Sequence, residues 1–156
     1  MNMNSHKKGN FLQRQVGVTM LELLVVVGII AIVSAVAFPS YTQYIVNTKR
    51  TVATSALLQV AERQQQFFID NKQFTNDLTD LGFAASPLVL DENGSSTVAT
   101  DGDAVYSIGL SNVTATTYTI TAAPLHGQGS RDTHCASFSV DQSGARANSG
   151  GGNDCW

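Results

Sequence analysis

Gly17-Val18-Thr19-Met20-Leu21-Glu22 is the stretch on which the reading of this chain turns. It heads an apolar run, Val18 to Phe38, of 21 residues that are almost all Leu, Val, Ile or Ala. A bilayer crossing takes ~20 such residues. Beyond Glu22, the 26 residues from Leu23 to Thr48 carry no charge. Upstream, Lys7, Lys8 and Arg14 stand without an acid and His6 is neutral. Downstream, residues 49–156 hold six bases against eleven acids, a net −5. A basic end before an apolar run predicts a cytoplasmic N-terminus and an exported remainder. The 156 residues have room for one domain with a real core, and the 13% charged share is low because of the apolar block. These features exclude a multidomain chain, a disordered acidic tail and a simple cytosolic enzyme. They also weigh against nucleic acid as the main ligand, since an acidic domain is a poor general phosphate binder.

Three readings of the apolar run compete. A secretory signal peptide would end at Ala35-Val36-Ala37, but its apolar region would run only ~7–15 residues. A plain signal anchor accounts for everything except Glu22, whose unpaired carboxylate in lipid costs a few kcal/mol. The third reading accounts for Glu22 as well. Glycine, an apolar residue, threonine, two apolar residues and glutamate, behind a basic leader, resemble the class III signal of type IV pilins and their relatives. The one departure is Val18, where the family usually has phenylalanine. The resemblance implies cleavage by a prepilin peptidase between Gly17 and Val18, then N-methylation of Val18. It implies that Glu22 pairs with the N-terminal amine of a neighbouring subunit, which offsets the cost of desolvating both charges. Gly28 and Pro39 are the points where the helix is expected to kink or loosen.

From Tyr41 to about Phe68 the pattern is an amphipathic helix. Ala53, Ala56, Leu57, Val60, Ala61, Phe67 and Phe68 share one stripe, and Ser55, Gln59, Glu62, Gln65 and Gln66 lie opposite. Val52 and Leu58 lie off the stripe, either as contacts with other subunits or as ordinary exposed apolar residues. A continuous helix from Thr19 to Ile69 would be ~75 Å long. Asp70-Asn71-Lys72 ends it, and Phe74 to Gly82 reads as a helical turn capped by Thr75 or Asn76 and stopped by Gly82. Glu62 to Phe68, with Phe74-Thr75 and Asp77-Leu78…Leu81-Gly82, is closely similar to PilE-like minor pilins. Ala84 to Asp103 is expected as a Ser/Gly/Asp-rich loop. Val105–Leu110, Thr117–Ala122 and His134–Val140 alternate as half-buried antiparallel strands. Tyr106, Ile108, Leu110, Tyr118, Ile120, Phe138 and Val140 would face the helix. Gly127 to Ser130 reads as a turn.

Cys135 and Cys155, an even count in an exported chain, read as one disulfide worth ~3 kcal/mol in the loop-closure model, two free thiols being the alternative. The resemblance makes the loop they close the exposed, variable region of a pilin. The fold expected is therefore α+β, the type IV pilin fold. It divides into a cleaved leader (1–17), a membrane and filament-core helix (18–39) and an exported head (40–156). The head holds helix 40–70, loop 71–104, sheet 105–140 and disulfide loop 135–155.

No serine-nucleophile motif is present, and His6, His126 and His134 lack metal spacing. His126 and His134 could meet in one loop, where a solvated pair is the better reading. Asp91-Glu92-Asn93-Gly94 and Asp101-Gly102-Asp103 could ligate calcium but read better as turns. No catalytic residue, metal or cofactor is expected. The resemblance implies a minor subunit of a type IV pilus serving twitching motility, adhesion or DNA uptake. Its partners would be other pilins, the prepilin peptidase, the inner-membrane assembly machinery and, before assembly, the lipid bilayer. The alternatives are a pseudopilin of type II secretion and a DNA-receptor minor pilin, DNA being possible and not favoured.

Overall fold

The structure, a computed structural model, describes residues 17–156. The expected basic leader lies outside the described residues apart from Gly17. The chain forms two compact units, one ending at Ser40 and one from Tyr41 to Trp156. Helix α1, Met20–Asn71, supplies residues to both and stays helical through Gly28 and Pro39. In the first unit it is long and apolar enough to cross a membrane. From Leu21 to Ser40 every side chain is exposed except half-buried Ser34.

In the second unit, α1 packs its stripe on a six-stranded antiparallel sheet ordered β2-β1-β3-β4-β5-β6. The strands are β1 (Leu88–Asp91), β2 (Ser96–Thr97), β3 (Ala104–Ser111), β4 (Thr119–Pro124), β5 (Phe138–Asp141) and β6 (Arg146–Asn148). Ala53, Ala56, Leu57 and Val60 are buried against Tyr106, Ile108, Tyr118, Ile120, Phe138 and Val140. Those six are expected sheet positions, and the seventh, Leu110, is half-buried beside them. A six-residue helix, α2 (His126–Arg131), joins β4 to the disulfide loop.

Four expectations are corrected. The loop over 84–103 contains β1 and β2. Leu88-Val89-Leu90 is buried on both faces, so its continuous apolar run lacks the alternation that marks a half-exposed strand. The turn at Gly127–Ser130 is α2. The strand expected over His134–Val140 begins at Phe138, because Ala136 takes a left-handed φ of 53° and its N–H donates to Asp132 O at 2.8 Å. The short helix after Phe74 is a 3-10 turn, Leu78–Leu81, capped by Asp77 and not by Thr75 or Asn76. Asp77 Oδ1 accepts from the Thr79 N–H at 2.8 Å. Gly82 closes that turn as expected, at φ 81°.

Candidate functional site

Gly17, Val18 and Thr19 precede α1 and are exposed. Thr19 caps the helix: its Oγ1 accepts the N–H of Glu22 at 3.2 Å, and its carbonyl accepts the N–H of Leu23 at 3.1 Å. Thr19-x-x-Glu22 is thus the frame of a capping box, and the helix dipole favours an anion in the first turn. Glu22 therefore has a local role at the start of the helix, one its spacing from Thr19 signals. In the turn around Pro39, the Ser40 hydroxyl donates to Val36 O at 3.3 Å.

In the head, a buried polar cluster ties α1 to α2 and the disulfide loop. Arg50 Nη2 donates to Asp132 Oδ1 at 2.6 Å and Nε to Oδ2 at 2.8 Å. Asp132 is fully buried, and its Oδ1 also accepts the Cys135 N–H at 3.3 Å. The Gln128 amide donates to the Tyr106 hydroxyl at 3.0 Å and reaches Asp132 Oδ2 and Val46 O at 3.4 Å. A planar guanidinium on a carboxylate in two parallel bonds is the strongest form of such a pair. The Asp132 hydrogen bond raises the Arg50 pKa, against the desolvation that lowers it. Burial pushes the Tyr106 hydroxyl up to about 12, and burial also raises Tyr118. Asp77 is lowered by the Thr79 N–H, and Asp141 by the Ser143 hydroxyl. Of the cluster's four side chains only Tyr106 is singled out by the sequence, as a sheet position facing the helix; Arg50, Gln128 and Asp132 are not.

Cys135 and Cys155 form the expected disulfide, with Cα atoms 5.6 Å apart. The loop they close is ordered by its own backbone. Gly150 N donates to Cys135 O and Gly152 N to His134 O, both at 3.1 Å. A Cβ on Gly150 would collide with the His134 and Cys135 backbone, so the glycine there permits a close approach of two strands of chain. Trp156 packs edge-on against Phe138 at 5.8 Å, donates Nε1–H to Ala147 O at 3.0 Å and carries Arg146 over its ring at 5.2 Å.

The acidic loops are turns. Asp91 Oδ1 accepts the N–H groups of Asn93 and Ser95, and Asp101 Oδ1 accepts that of Asp103. His126 Nε2 bonds to Ala99 O at 2.9 Å, and the His134 ring lies against Gly152. Among the described residues, no group of three or more His, Cys, Asp or Glu could hold a metal ion. Among the head's bases, Arg50 and Lys49 are in ion pairs, the latter with Glu92 at 3.6 Å. Arg63 donates to Leu81 O at 2.7 Å and lies over Phe83, and Lys72 donates to Ile69 O. Arg131 is exposed at the end of α2.

A family model described as "Type IV minor pilin ComP, DNA uptake sequence receptor" matches residues 39–139, which cover most of the head. The chain belongs to this family of type IV minor pilins. A "Fimbrial protein" of Pseudomonas aeruginosa is 32% identical over 93 residues, 56% of this chain and 60% of that protein. "Type IV major pilin protein PilA" of Myxococcus xanthus is 31% identical over 74 residues, 47% of this chain and 34% of that one. "Type IV wide pilus major component PilA4" of Thermus thermophilus is 35% identical over 74 residues, 46% and 56% of the two chains. The pilin therefore spans about 60% or less of the length of these relatives. With the long helix, the antiparallel sheet and the C-terminal disulfide, the expected type IV pilin fold is present.

Proposed function

We propose that this pilin is a minor structural subunit of a type IV pilus, carried into the filament by the apolar half of α1. The observation that carries the reading is a conjunction: a minor-pilin match over residues 39–139, behind an exposed apolar helix headed by Gly17-Val18-Thr19-Met20-Leu21-Glu22. On this reading the precursor spans the inner membrane with its N-terminus in the cytoplasm and its head outside. A prepilin peptidase cuts after Gly17, which leaves the scissile bond sterically open, and Val18 becomes the methylated N-terminus. Glu22 then meets the amine of a neighbouring pilin as the assembly machinery extracts the subunit. The apolar face exchanges lipid for other helices, so its burial is kept while position changes. Pilus relatives favour this over a type II secretion pseudopilus. The test is the mature N-terminus of chain recovered from sheared pili. N-methyl-Val18 that is lost without the peptidase is expected. A chain starting at Phe38, or one absent from the filament fraction, sinks the proposal.

The match to a family of DNA uptake sequence receptors favours DNA reception as a second reading. The net charge of −5 and the pairing of Arg50 and Lys49 leave Arg63, Lys72, Arg131 and Arg146 as the cations for phosphate. Such a site would bind weakly and with a shallow salt dependence. Filter binding of duplex DNA between low and physiological salt tests it. No retention at low salt, or retention unchanged in Arg131→Ala and Lys72→Ala, removes it.

A further inference from the structure

The turn between β1 and β2 carries a second chemistry. Asp91-Glu92-Asn93-Gly94-Ser95 contains the Asn-x-Ser pattern that marks an acceptor for N-linked sugar on exported chains. Here the pattern sits at an exposed hairpin tip. Asp91 closes the turn with its Oδ1 on the N–H groups of Asn93 and Ser95, at 2.9 and 2.8 Å, and its backbone N–H on Ser95 O at 2.9 Å. Gly94 supplies the left-handed φ of 79° that the reversal needs. The two groups a transferase must grip, the Asn93 amide and the Ser95 hydroxyl, make no hydrogen bond within the head. The second such pattern, Asn112-Val113-Thr114, is unlike it. There the Thr114 hydroxyl is engaged by the Thr116 and Thr117 N–H groups and by the Thr117 hydroxyl at 2.7 Å. Asn112 is itself held at φ 51°. The far arm of the Asn93 hairpin is the two-residue β2, so the tip can peel into an enzyme's groove at small cost.

We infer that Asn93 is a glycan acceptor, with a polyprenyl-diphosphate-linked sugar as donor. Asn93 Nδ2 bonds to the anomeric carbon of the sugar, and the bond from that carbon to the diphosphate oxygen breaks. The diphosphate leaves with the electron pair, and the amide proton passes to a base, with no change of oxidation state. Asp91, two residues before the acceptor, presents a negative charge that a cationic transferase pocket can read. The inference rests on the exported head of the proposal above and on no other part of it.

The experiment is intact mass and peptide mapping of the full chain purified from its own host, with and without a peptide-N-glycosidase in ¹⁸O-water. The expected result is a glycan on the peptide holding Asn93, released with conversion to Asp and uptake of one ¹⁸O. The glycan should be lost in Asn93→Gln and in Ser95→Ala and unchanged in Asn112→Gln. Intact mass before and after reduction reports the disulfide in the same sample, and therefore export. A disulfide-bonded chain with bare Asn93 overturns this inference and leaves the pilus reading standing. So does a mass gain of about 1 Da without enzyme, which is spontaneous deamidation at Asn93-Gly94, and so does sugar that persists in Asn93→Gln.

Discussion

The two halves of α1 obey the same backbone geometry and opposite rules of side-chain placement. Residues 23–39 carry no charge and, apart from half-buried Ser34, stay exposed in their own unit, while residues 41–71 bury only Val46, Ala53, Ala56, Leu57, Val60 and Gln64. The first half is rich in Val and Ile, which are middling helix formers, so propensity alone does not make it helical. In lipid, or among other helices, each backbone group must be satisfied within its own segment, and a helix does that. The second half is helical because its stripe has a sheet to cover. The lesson is that the first half's energetics lie in its surroundings and the second half's lie in the head. Substitutions should therefore divide cleanly between assembly and stability.

The largest effect on the head is expected at Asp132. Removing its carboxylate leaves the Arg50 guanidinium, itself only 12% exposed, without a partner, and uncompensated buried charge of this kind costs about 3–5 kcal/mol. Asp132→Ala should lower the unfolding free energy of the detergent-solubilised chain by that much, and Arg50→Met with Asp132→Leu should recover most of it. A double variant as unstable as Asp132→Ala would show that the two residues contribute through packing and not as a charge pair. Cys155→Ser comes next. It opens a 20-residue separation and should cost about 3 kcal/mol by loop closure, read as a drop in the denaturation midpoint that reducing agent no longer deepens.

These two sites also mark how far the sequence is legible. The disulfide, the helix stripe and the sheet-facing aromatics can be read from residue type and spacing, because burial of apolar groups repeats with the period of the element. The Asp132 cluster cannot. Arg50 and Asp132 are 82 residues apart, and charge alone does not distinguish a buried pair from two solvated residues. Strand β1 escapes for a related reason: Leu88, Val89 and Leu90 are all buried, so the alternation that reveals a strand is missing. Helix α2 carries Gly127 and Gly129, poor helix formers, and its side-chain anchor is Gln128, whose amide reaches the Tyr106 hydroxyl. Gln64 lies on the apolar stripe as a polar residue and is fully buried. Its amide gives a bond to Thr75 O at 2.7 Å and takes one from Thr75 N at 3.2 Å. Gln64→Ala strands both backbone groups and should cost about 2 kcal/mol. Gln64→Leu, better packed but equally unable to pair, should cost nearly as much if hydrogen bonding decides the site.

Alkaline pH gives a smaller, graded effect confined to the head. The Tyr106 hydroxyl is held neutral by burial, with its pKa moved up from 10.0 to about 12. The unfolded chain releases that proton first, so folded stability is intact below about pH 10 and declines as pH rises toward about 12. Tyr106→Phe should flatten that decline, measured as urea midpoint against pH, leaving the shallower limb from Tyr118, whose pKa is also raised. An unchanged slope in Tyr106→Phe would show that the alkaline limb does not come from Tyr106.

The smallest expected shift in stability belongs to Glu22→Ala, and it separates the two halves most sharply. Glu22 lies in the first turn of α1, in the unit that ends at Ser40, whereas the buried core begins at Val46. Its local contribution is a carboxylate near a helix N-terminus, worth about 0.3–1 kcal/mol to the first turn and nothing to the head. The head's unfolding midpoint should match wild type within error. Assembly should not, because the carboxylate is the anion the proposal assigns to a neighbouring amine, and alanine leaves that amine buried without a partner. Recovery of chain in sheared filaments should fall by at least tenfold while membrane-bound precursor persists. Glu22→Gln sharpens the point: it keeps the shape and the Thr19 cap, which uses the Glu22 backbone N–H, but removes the charge. If Glu22→Gln assembles normally, Glu22 acts as a helix-start residue; if it fails as Glu22→Ala does, the charge itself is what the neighbouring subunit requires.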